Sequence, residues 1–565
     1  MKKLFKNGRV VNVFTDVVEK ADVLIENSKI IGVGDYSDSD ADVIIDVTDK
    51  FITPAFIDGH IHIESTMLTP AELAKICIPR GTGTIIADPH EIANVCGVDG
   101  IRYMLEASKG LPLNVYFNLP SCVPATPFDE TGALLDAESL KAFYQEERVL
   151  GLAEMMNYPG VIYGDEAVAQ KLDDALSNGR IIDGHAPMLS GKDLDKYVST
   201  GIHSDHECSS FEEALEKLSK GQWIMIREGT AARNLEALLP LFDEPYNRRC
   251  LLVTDDRHPA DIVSDGHIDN VVRRAISLGK PATVAIRMAS FNAAQCFGLR
   301  FVGAIAPAYK ADILVLNDLD TVDVKDVYLN GELIVEDKSI TSFGEPSVSP
   351  ELLKKVRNSF NLKELKADDF YIDPCSSKCR VIKVISGEIV TDEIIAEINW
   401  DTNNGVDLER DILKLAVIER YKGTGHRGLG FISGIGLKKG AIASSVSHDS
   451  HNIIVIGTNN SDMAIAANYI RENGGNVVVC NGEIIADMPL SIGGLMIDES
   501  ADKIAKKNEE VRSAVYDLGV PPDIKPFMNM AFVSLPVIPK LKMTTQGLVD
   551  VLSWQRVSLY VKETL

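Results

Sequence analysis

The sequence has little positive charge and no long apolar run. The 565 residues contain 57 Lys and Arg against 82 Asp and Glu, which gives a formal net charge of −25. No basic stripe can offset that charge, so a polyanionic partner such as nucleic acid and adsorption to an acidic membrane surface are both disfavoured. No apolar run reaches the roughly 18–20 residues that a membrane-spanning helix needs. We expect a soluble protein with no nucleic-acid and no membrane partner.

Cysteine is also sparse. The nine cysteines are scattered and odd in number, which favours reduced thiols in a cytosol over a disulfide framework. The first residues, MKKLFKNGRVVNVF, are positively charged but lack the sustained apolar core and small-residue cleavage site of a secretory signal. These features predict a cytoplasmic protein.

The length and the patterns at the two ends of the first 345 residues indicate an inserted segment. A chain of this length exceeds one hydrophobic core, so we expect several domains. Short alternating strands broken by Asn-Gly and Asn-Ser fill the first fifty residues, and the same pattern returns in residues 311–337. We predict one split β-sandwich domain from residues 1–52 and 303–345.

The segment between these ends, residues 53–302, alternates apolar β-rich runs with stretches long enough for a crossover helix. Eight such units predict a (β/α)8 barrel with its chemistry at the C-terminal ends of the strands, and a doubly wound open sheet is the alternative. The eight runs are AFIDGH, TGTIIADPH, LNVYFNLPS, VLGLAEMM, RIIDGH, GIHSDH, QWIMIREG and CLLVTDD.

The remaining residues, 346–565, predict an additional C-terminal α+β domain. HNIIVIGTN and GGNVVVCNGEII are typical of strands. DLERDILKLAVIERYK and ADKIAKKNEEVRSAVYDLG have the apolar spacing of helices. The predicted fold class is therefore α/β: a TIM-like barrel, a split small β-sandwich and a C-terminal α+β domain.

Imidazole and carboxylate groups stand at the ends of the predicted barrel strands. Residues i and i+2 of a strand lie on the same side, so His60 and His62 can reach one ion. Neutral imidazole suits Zn, Fe and Mn, and a shared carboxylate can bridge two such cations. The other strand-end groups are Glu154 on the fourth run, His185 on the fifth, His206 and Glu207 on the sixth, and Asp255 and Asp256 on the eighth. With only 11 histidines in the chain, this convergence predicts a metal-binding centre.

These motifs resemble a known family. PAFIDGHIH is similar to the opening of the amidohydrolase superfamily, metal-dependent hydrolases with a (β/α)8 barrel and a split β-sandwich. DGHIHIEST, ADPHEIANVCG, GHAPMLSG, TDDRHP and GTGHRGLGFISGIGLKKGAIASSVSHDSHN resemble the bacterial adenine deaminases within it. The resemblance covers essentially the whole chain, including the third domain that most amidohydrolases lack.

The resemblance implies two divalent transition metal ions per subunit, Mn or Fe, with Zn as an alternative. His60 and His62 with Asp255 would hold one ion, and His185 with His206 the other.

The bridge between the two ions departs from the pattern of many amidohydrolases, which use a carbamylated lysine on the fourth strand. VLGLAEMMN has no lysine. Glu154 is therefore the expected bridging ligand, and Glu91 in the DPHE motif is the alternative.

The resemblance implies hydrolytic deamination of adenine to hypoxanthine and ammonia in purine salvage, with activated water attacking C6. Asp255 would carry the proton from the nucleophile to the departing amine. Glu154, Glu207 and Glu91 are alternatives for the group at ring nitrogen N1. Side chains expected at the purine edge are Arg227, Glu228, Asp256 and Arg257.

Two alternative functions stay open: an amidohydrolase acting on a cyclic amide or N-acyl substrate, and a non-catalytic assembly protein of the same fold. Membership of the family implies a homo-oligomer, a dimer or tetramer. The histidines of the third domain, His426, His448 and His451, have a structural role or add a group to the site.

Overall fold

The computed structural model describes residues 1–341, 343–401 and 403–561. The chain begins with seven short strands, of which four form a sheet in the order β5-β4-β1-β6. Their bounds are β1 Lys2–Lys6, β2 Arg9–Asn12, β3 Val17–Lys20, β4 Asp22–Glu26, β5 Lys29–Gly34, β6 Val43–Asp46 and β7 Phe51–Pro54.

The next eight strands form the barrel. They are β8 Phe56–Ile61, β9 Thr82–Ala87, β10 Asn114–Leu119, β11 Val149–Met155, β12 Ile181–Gly184, β13 Ser204–Asp205, β14 Trp223–Arg227 and β15 Cys250–Val253. Neighbouring strands pair in parallel in the orders β12-β11-β10-β9-β8 and β13-β14-β15. Parallel bridges from Ile182 to Ile202 and from Ile61 to Asp255 join the two sheets into a closed ring. The predicted barrel is therefore confirmed, and the open sheet is wrong.

Helices cover the outside of the barrel. The apolar face of α10, with Val271, Val272 and Ala275, is fully buried against the core, as expected for an amphipathic crossover helix. The helices are α1 Pro70–Cys77, α2 His90–Cys96, α3 Val98–Ala107, α4 Ala137–Lys141, α5 Tyr158–Tyr163, α6 Glu166–Ser177, α7 Gly191–Ser199, α8 Phe211–Ser219, α9 Pro259–Ser264, α10 Ile268–Ser277, α11 Ala282–Met288 and α12 Phe291–Cys296.

After the barrel the chain returns to the first strands. The new strands are β16 Ile313–Leu316, β17 Val324–Leu329, β18 Glu332–Glu336 and β19 Ser339–Ile340. They complete a seven-stranded sheet in the order β19-β18-β17-β16-β7-β2-β3. Apolar residues from both small sheets, including Phe5, Ile25, Ile52 and Ile313, share one buried cluster. A sandwich assembled from both sides of the barrel segment places strand β8 directly after β7.

An eight-stranded sheet dominates the remainder, in the order β21-β20-β23-β22-β25-β24-β26-β27, followed by a three-stranded sheet β28-β29-β30. Helix α14 packs on one face of the larger sheet, with Ala466 and Ile470 in the same cluster as Val455 and Val477. The elements are α13 Pro350–Arg357, β20 Lys378–Val384, β21 Thr391–Glu397, β22 Leu413–Ile418, β23 Arg427–Ser433, β24 Ala441–Ser444, β25 Ile453–Gly457, α14 Asn460–Asn473, β26 Asn476–Cys480, β27 Glu483–Met488, α15 Ala501–Asp517, α16 Pro526–Val533, β28 Leu541–Thr544, β29 Gly547–Asp550 and β30 Gln555–Val557.

One predicted element is wrong. The segment DLERDILKLAVIERYK was predicted to be helical, but its centre is β22, an interior strand paired with β23 and β25. All six residues of β22 are buried. A strand covered on both faces has no polar alternation, and its apolar run then matches helical spacing as well.

The boundaries of the three domains remain a prediction. Within the described residues, no helix combines the length and the apolar character needed to cross a bilayer.

Candidate active site

The predicted ligand residues come together at the C-terminal mouth of the barrel. Parallel barrel strands all present their carboxyl ends on one side, and side chains at those ends point into a common space. Gly184 supports this arrangement because a Cβ there would lie 2.2 Å from the Ser204 carbonyl oxygen, so β12 can approach β13 only without one. The residues that meet are His60 near the end of β8 and His62 directly after it, Glu154 on β11, His185 after β12, His206 after β13 and Asp255 after β15.

Glu154 is at the centre of this group. Its Oε1 lies 3.4 Å from Nε2 of His62. Its Oε2 lies 2.8 Å from Nδ1 of His185 and 3.2 Å from Nε2 of His206. The two oxygens of one buried carboxylate thus face two different sets of histidines, as a bridging ligand requires.

The two histidines of the HxH motif direct their Nε2 atoms at the same space. Nδ1 of His62 lies 3.1 Å from the carbonyl oxygen of Asp88, which can only accept, so Nδ1 carries a proton and Nε2 is the atom that would bind a cation once it is deprotonated. Nδ1 of His60 lies 3.3 Å from the Asp183 carboxylate. Nε2 of His60 is buried and has no hydrogen-bond partner among the described residues. Such outer-shell contacts orient metal-ligating imidazoles in proteins.

Asp255 faces the same pair. Its Oδ1 lies 3.2 Å from Nε2 of His62 and 3.5 Å from Nε2 of His60. Its backbone adopts a positive φ of 58° while its N–H donates to the His60 carbonyl at 2.9 Å. A non-glycine residue held in this region at a strand end is typical of functional sites.

Arg227 connects two of the carboxylates. Its guanidinium donates to Oδ2 of Asp255 at 2.7 Å and to both carboxylate oxygens of Glu207, at 2.5 and 2.9 Å. Burial favours the protonated acid, but Arg227 and the nearby histidines outweigh it and hold the pKa of Glu207 well below its usual range. The pKa of Asp255 is likewise held well below its usual value, against burial, chiefly by Arg227. Both groups are therefore ionised at neutral pH.

This donor set fits divalent transition metals. Imidazoles, which bind metals in their neutral form, and ionised carboxylates are the ligands that Mn, Fe and Zn use. Donor atoms of His60, His62 and Asp255 lie within 4.8 Å of one another, and so do those of His60, Glu154 and His206. Burial and His206 oppose protonation of His60, but Asp183 and Asp255 raise its pKa to about 9. A bound cation would replace that proton in offsetting the carboxylate charge.

The structure adds a histidine that the sequence reasoning missed. Nδ1 of His90 lies 2.9 Å from Oδ2 of Asp88 and 3.5 Å from Oε1 of Glu154. Its Nε2 lies 3.7 Å from Oδ1 of Asp449, which belongs to the C-terminal part of the chain. His90 belongs to the same DPHE motif as Glu91, three residues after β9. Its position after a barrel strand is the sequence signal that points to it.

Glu91, the alternative bridge, lies to one side of the ligand group. Its Oε1 is 3.1 Å from Nδ1 of His448 and accepts a hydrogen bond from Ser65 at 3.0 Å. Oγ of Ser65 also lies 2.5 Å from Oδ1 of Asp256. Both acids line the cavity described below, but the carboxylate that contacts both sets of histidines is Glu154.

Arg257 and Glu228 do not line this cavity. The guanidinium of Arg257 donates to the backbone carbonyl of Glu228 at 2.6 Å, and the Glu228 carboxylate pairs with Arg274. The expectation that Arg257 reads the purine edge stays a prediction, and in this structure its guanidinium binds the backbone directly after β14. Asp256 and Arg227 do line the cavity.

The three histidines of the third domain lie in three different environments. His426 is more than half exposed and pairs with Glu130 at 2.9 Å. His451 is buried, and its Nδ1 accepts the Ser447 N–H at 3.2 Å. His448 alone lines the cavity, beside Glu91.

The cavity over the ligand group has a volume of about 40 Å³. Its floor consists mainly of polar barrel side chains, and its roof is largely apolar. The barrel contributes His62, His90, Glu91, Glu154, Met156, His185, His206, Glu207, Arg227, Ala232, Asp255 and Asp256; residues beyond the barrel contribute Ile389, His448, Asp449, Phe532, Leu535 and Ile538.

Comparison with known proteins identifies the family. The profile of the "Amidohydrolase family" matches residues 51–334, and that of the "Adenine deaminase C-terminal domain" matches residues 388–555. A protein of Clostridium acetobutylicum named "Adenine deaminase" is 46% identical over 98% of this chain and 96% of its own. "Adenine deaminase" of Desulfatibacillum aliphaticivorans is 44% identical over 99% and 97%, and "Adenine deaminase 2" of Carboxydothermus hydrogenoformans 45% over 97% and 95%. The chain therefore belongs to the adenine deaminase family of the amidohydrolase superfamily.

Proposed function

We propose that this chain hydrolyses adenine to hypoxanthine and ammonia, with Glu154 shared between two metal positions. The single observation that carries the site assignment is the Glu154 carboxylate, whose two oxygens face His62 on one side and His185 and His206 on the other. The full-length relatives named adenine deaminase support the substrate.

The amidohydrolase family binds divalent metal, and the buried donor clusters are suited to it. We assign His60, His62 and Asp255 to one ion, His185 and His206 to a second, and Glu154 to both. Mn and Fe are the proposed metals, with Zn as the alternative. Divalent ions held there would lower the pKa of water toward neutrality and so supply the nucleophile.

Asp255 is placed to move the proton. Its pKa is held low, against burial, mainly by Arg227, so it is an ionised acceptor when substrate arrives. It takes a proton as water oxygen adds to C6 and passes it to the departing amino nitrogen, so that one water and one adenine become hypoxanthine and ammonia.

Glu207 is the group we assign to the N1 edge of the purine. Because it is ionised, it would take one proton of the attacking water and pass it to N1, while Asp255 carries the other proton to the amine. Glu154 faces four histidines, and Glu91 is bound by His448 and Ser65. Glu207 lines the cavity beside His185, with Arg227 holding its orientation. Asp256 and Arg227 are proposed to contact the remainder of that edge.

The setting of the enzyme follows from the composition. All nine cysteines are free, which agrees with a reducing compartment, and we propose a cytoplasmic enzyme of purine salvage. A dimer or tetramer is the proposed assembly.

The substrate assignment is tested by a panel. The protein loaded with Mn or Fe is incubated with adenine, adenosine, dihydroorotate and N-acetylglucosamine 6-phosphate, and ammonia and product spectra are followed. Ammonia and hypoxanthine from adenine are expected. Turnover of dihydroorotate or of the N-acetyl sugar instead would favour the cyclic-amide or deacetylase alternative. A folded protein that binds no transition metal and turns over none of the four would favour the assembly role.

A further inference from the structure

The roof of the active-site cavity is built from residues far from the barrel in sequence. Phe532, Leu535 and Ile538, from α16 and the loop after it, line the cavity together with His448 and Asp449. The three apolar side chains are less than a tenth exposed and share a small buried cluster with Met528. An apolar roof over a polar floor suits a ligand with one reactive polar edge and one edge that carries little charge.

His448 fixes the roof aromatic ring. The rings of His448 and Phe532 stack with centroids 4.7 Å apart and planes 17° apart. Nδ1 of His448 lies 3.1 Å from Oε1 of Glu91 on the barrel. The roof ring is therefore held in place from the barrel side as well as from its own helix.

Backbone contacts fasten α16 to the loop that carries His448. The N–H of His448 donates to the carbonyl of Ala531 at 3.0 Å, and Ser534 donates to the carbonyl of His448 at 3.2 Å. The hydroxyls of Ser447 and Ser534 lie 2.5 Å apart. A segment bound at this many points resists displacement by a ligand.

The position of the roof relative to a bound purine follows from the chemistry. C6 of adenine has to face the group around Glu154, because that is where the amino group leaves. N9 is at the far end of the bicyclic ring from N1 and C6, so it faces away from the floor. With a volume of about 40 Å³, against the roughly 10–15 Å³ that one water needs, the cavity has room for a few water molecules but not for a purine. Room for the base has to come from small shifts of roof side chains, and a group on N9 demands a further displacement.

We propose that Phe532 and Leu535 are specificity-determining residues that admit free 6-aminopurine and exclude purines substituted on N9, nucleosides included. This inference rests on the proposed adenine deaminase activity. The proposed role of these two residues involves the C-terminal part of the chain in substrate choice. Polar groups of the barrel act on C6 of the purine, and apolar side chains from outside the barrel limit the size of the group that N9 can carry.

The test compares substrates that differ only at N9. Values of kcat/KM for adenine, 9-methyladenine and adenosine are measured in the metal-loaded wild type and in Phe532→Ala and Leu535→Ala. The ratio of 9-methyladenine to adenine is expected to rise at least tenfold in one of the variants, because the truncated side chain opens space beside N9. Met528→Ala is the matched control, since Met528 lies one turn before Phe532 in the same apolar cluster but does not line this cavity; its ratio should stay within twofold of the wild type.

Binding of products separates the two hypotheses. Dissociation constants of hypoxanthine and 9-methylhypoxanthine are measured by calorimetry on the same proteins, which needs no turnover. Unchanged discrimination in both Phe532→Ala and Leu535→Ala, with full metal content and wild-type circular dichroism, would overturn the roof proposal while leaving deamination intact. Absence of ammonia from adenine in the wild type would overturn the proposed function, and the binding ratio would still show whether the roof excludes N9 groups.

Discussion

Nδ1 of His185 lies 2.8 Å from Oε2 of Glu154, and the other oxygen of that carboxylate faces His62. A glutamate thus occupies the position at which many amidohydrolases carry a modified lysine. It needs no covalent modification to present two anionic oxygens to two sets of imidazoles.

Replacing Glu154 with Gln is expected to reduce metal affinity by at least tenfold and to lower the bound metal below two equivalents. The amide keeps the shape but removes the negative charge that both proposed ions share. Metal content is measured by mass spectrometry after dialysis. Glu147→Gln, an exposed acid just before the same strand, is the control and should retain full metal; a Glu154→Gln protein with full metal would remove the bridging role.

Replacing Asp255 with Asn is expected to lower kcat for adenine by about 10²–10⁴-fold, the range for loss of a general acid–base group. The change removes the proton acceptor, and Arg227 loses one of its two carboxylate partners. Rates are measured with saturating metal, and folding is checked by circular dichroism. Near-normal kcat would exclude Asp255 from proton transfer. Asp243 is an exposed acid paired with Lys280, and the control variant Asp243→Asn should leave kcat unchanged.

Metal binding is expected to release protons, and apparent affinity should rise as the pH rises above neutrality. The raised pKa of His60, about 9 in the metal-free protein, means that the imidazole is protonated at pH 7 and must lose that proton to bind a cation. Each displaced proton changes the apparent affinity about tenfold per pH unit. Calorimetry in buffers of different ionisation enthalpy counts the protons. A binding heat that does not depend on the buffer would contradict this account.

Lys542 binds the backbone of the roof residue Phe532, and its titration should affect the free energy of unfolding. It is fully buried, donates to the carbonyls of Phe532 and Ile389 at 2.9 and 3.2 Å, and has no acid within ion-pair distance among the described residues. Burial lowers its pKa to about 7, against about 10.4 in an unfolded chain. Between these values the unfolded state binds more protons, so stability should increase with pH, by up to about 1.4 kcal/mol per unit.

The measurement for Lys542 is the free energy of unfolding of the metal-free protein at pH 7.5 and 9.5. The same pair of measurements on Lys542→Met removes the contribution of all other titrating groups. The wild type should gain more stability than the variant as pH rises. Equal gains would show that Lys542 is charged in the folded protein.

Much of the candidate site could be predicted because strands have a simple period. Residues i and i+2 share one side of a strand, so His60 and His62 were expected to face one space. The spacing gained weight only beside His185, His206 and Asp255 at other strand ends, and the absence of lysine on β11 favoured Glu154 over Glu91 as the bridge. His448, Asp449 and Phe532 could not be found in this way. They reach the cavity through the packing of α16 and the 447–451 loop against the barrel, and no local pattern records that contact.

In the interior of the third domain, a local pattern was present but predicted the wrong secondary structure. Strand β22 was mistaken for a helix because residues 413–418 are buried on both faces of the eight-stranded sheet. The contact between Arg257 and the Glu228 carbonyl could not be predicted either, since a position after a strand end does not show which backbone group a side chain binds.

The most direct test of the two-metal account is a titration of metal-free protein with Mn²⁺ while ammonia release from adenine is followed. Activity is expected to rise from near zero and to saturate at two equivalents per subunit, with hypoxanthine formed in equal amount to ammonia. Saturation at a single equivalent, activity that does not depend on added metal, or no ammonia at any metal concentration would contradict it.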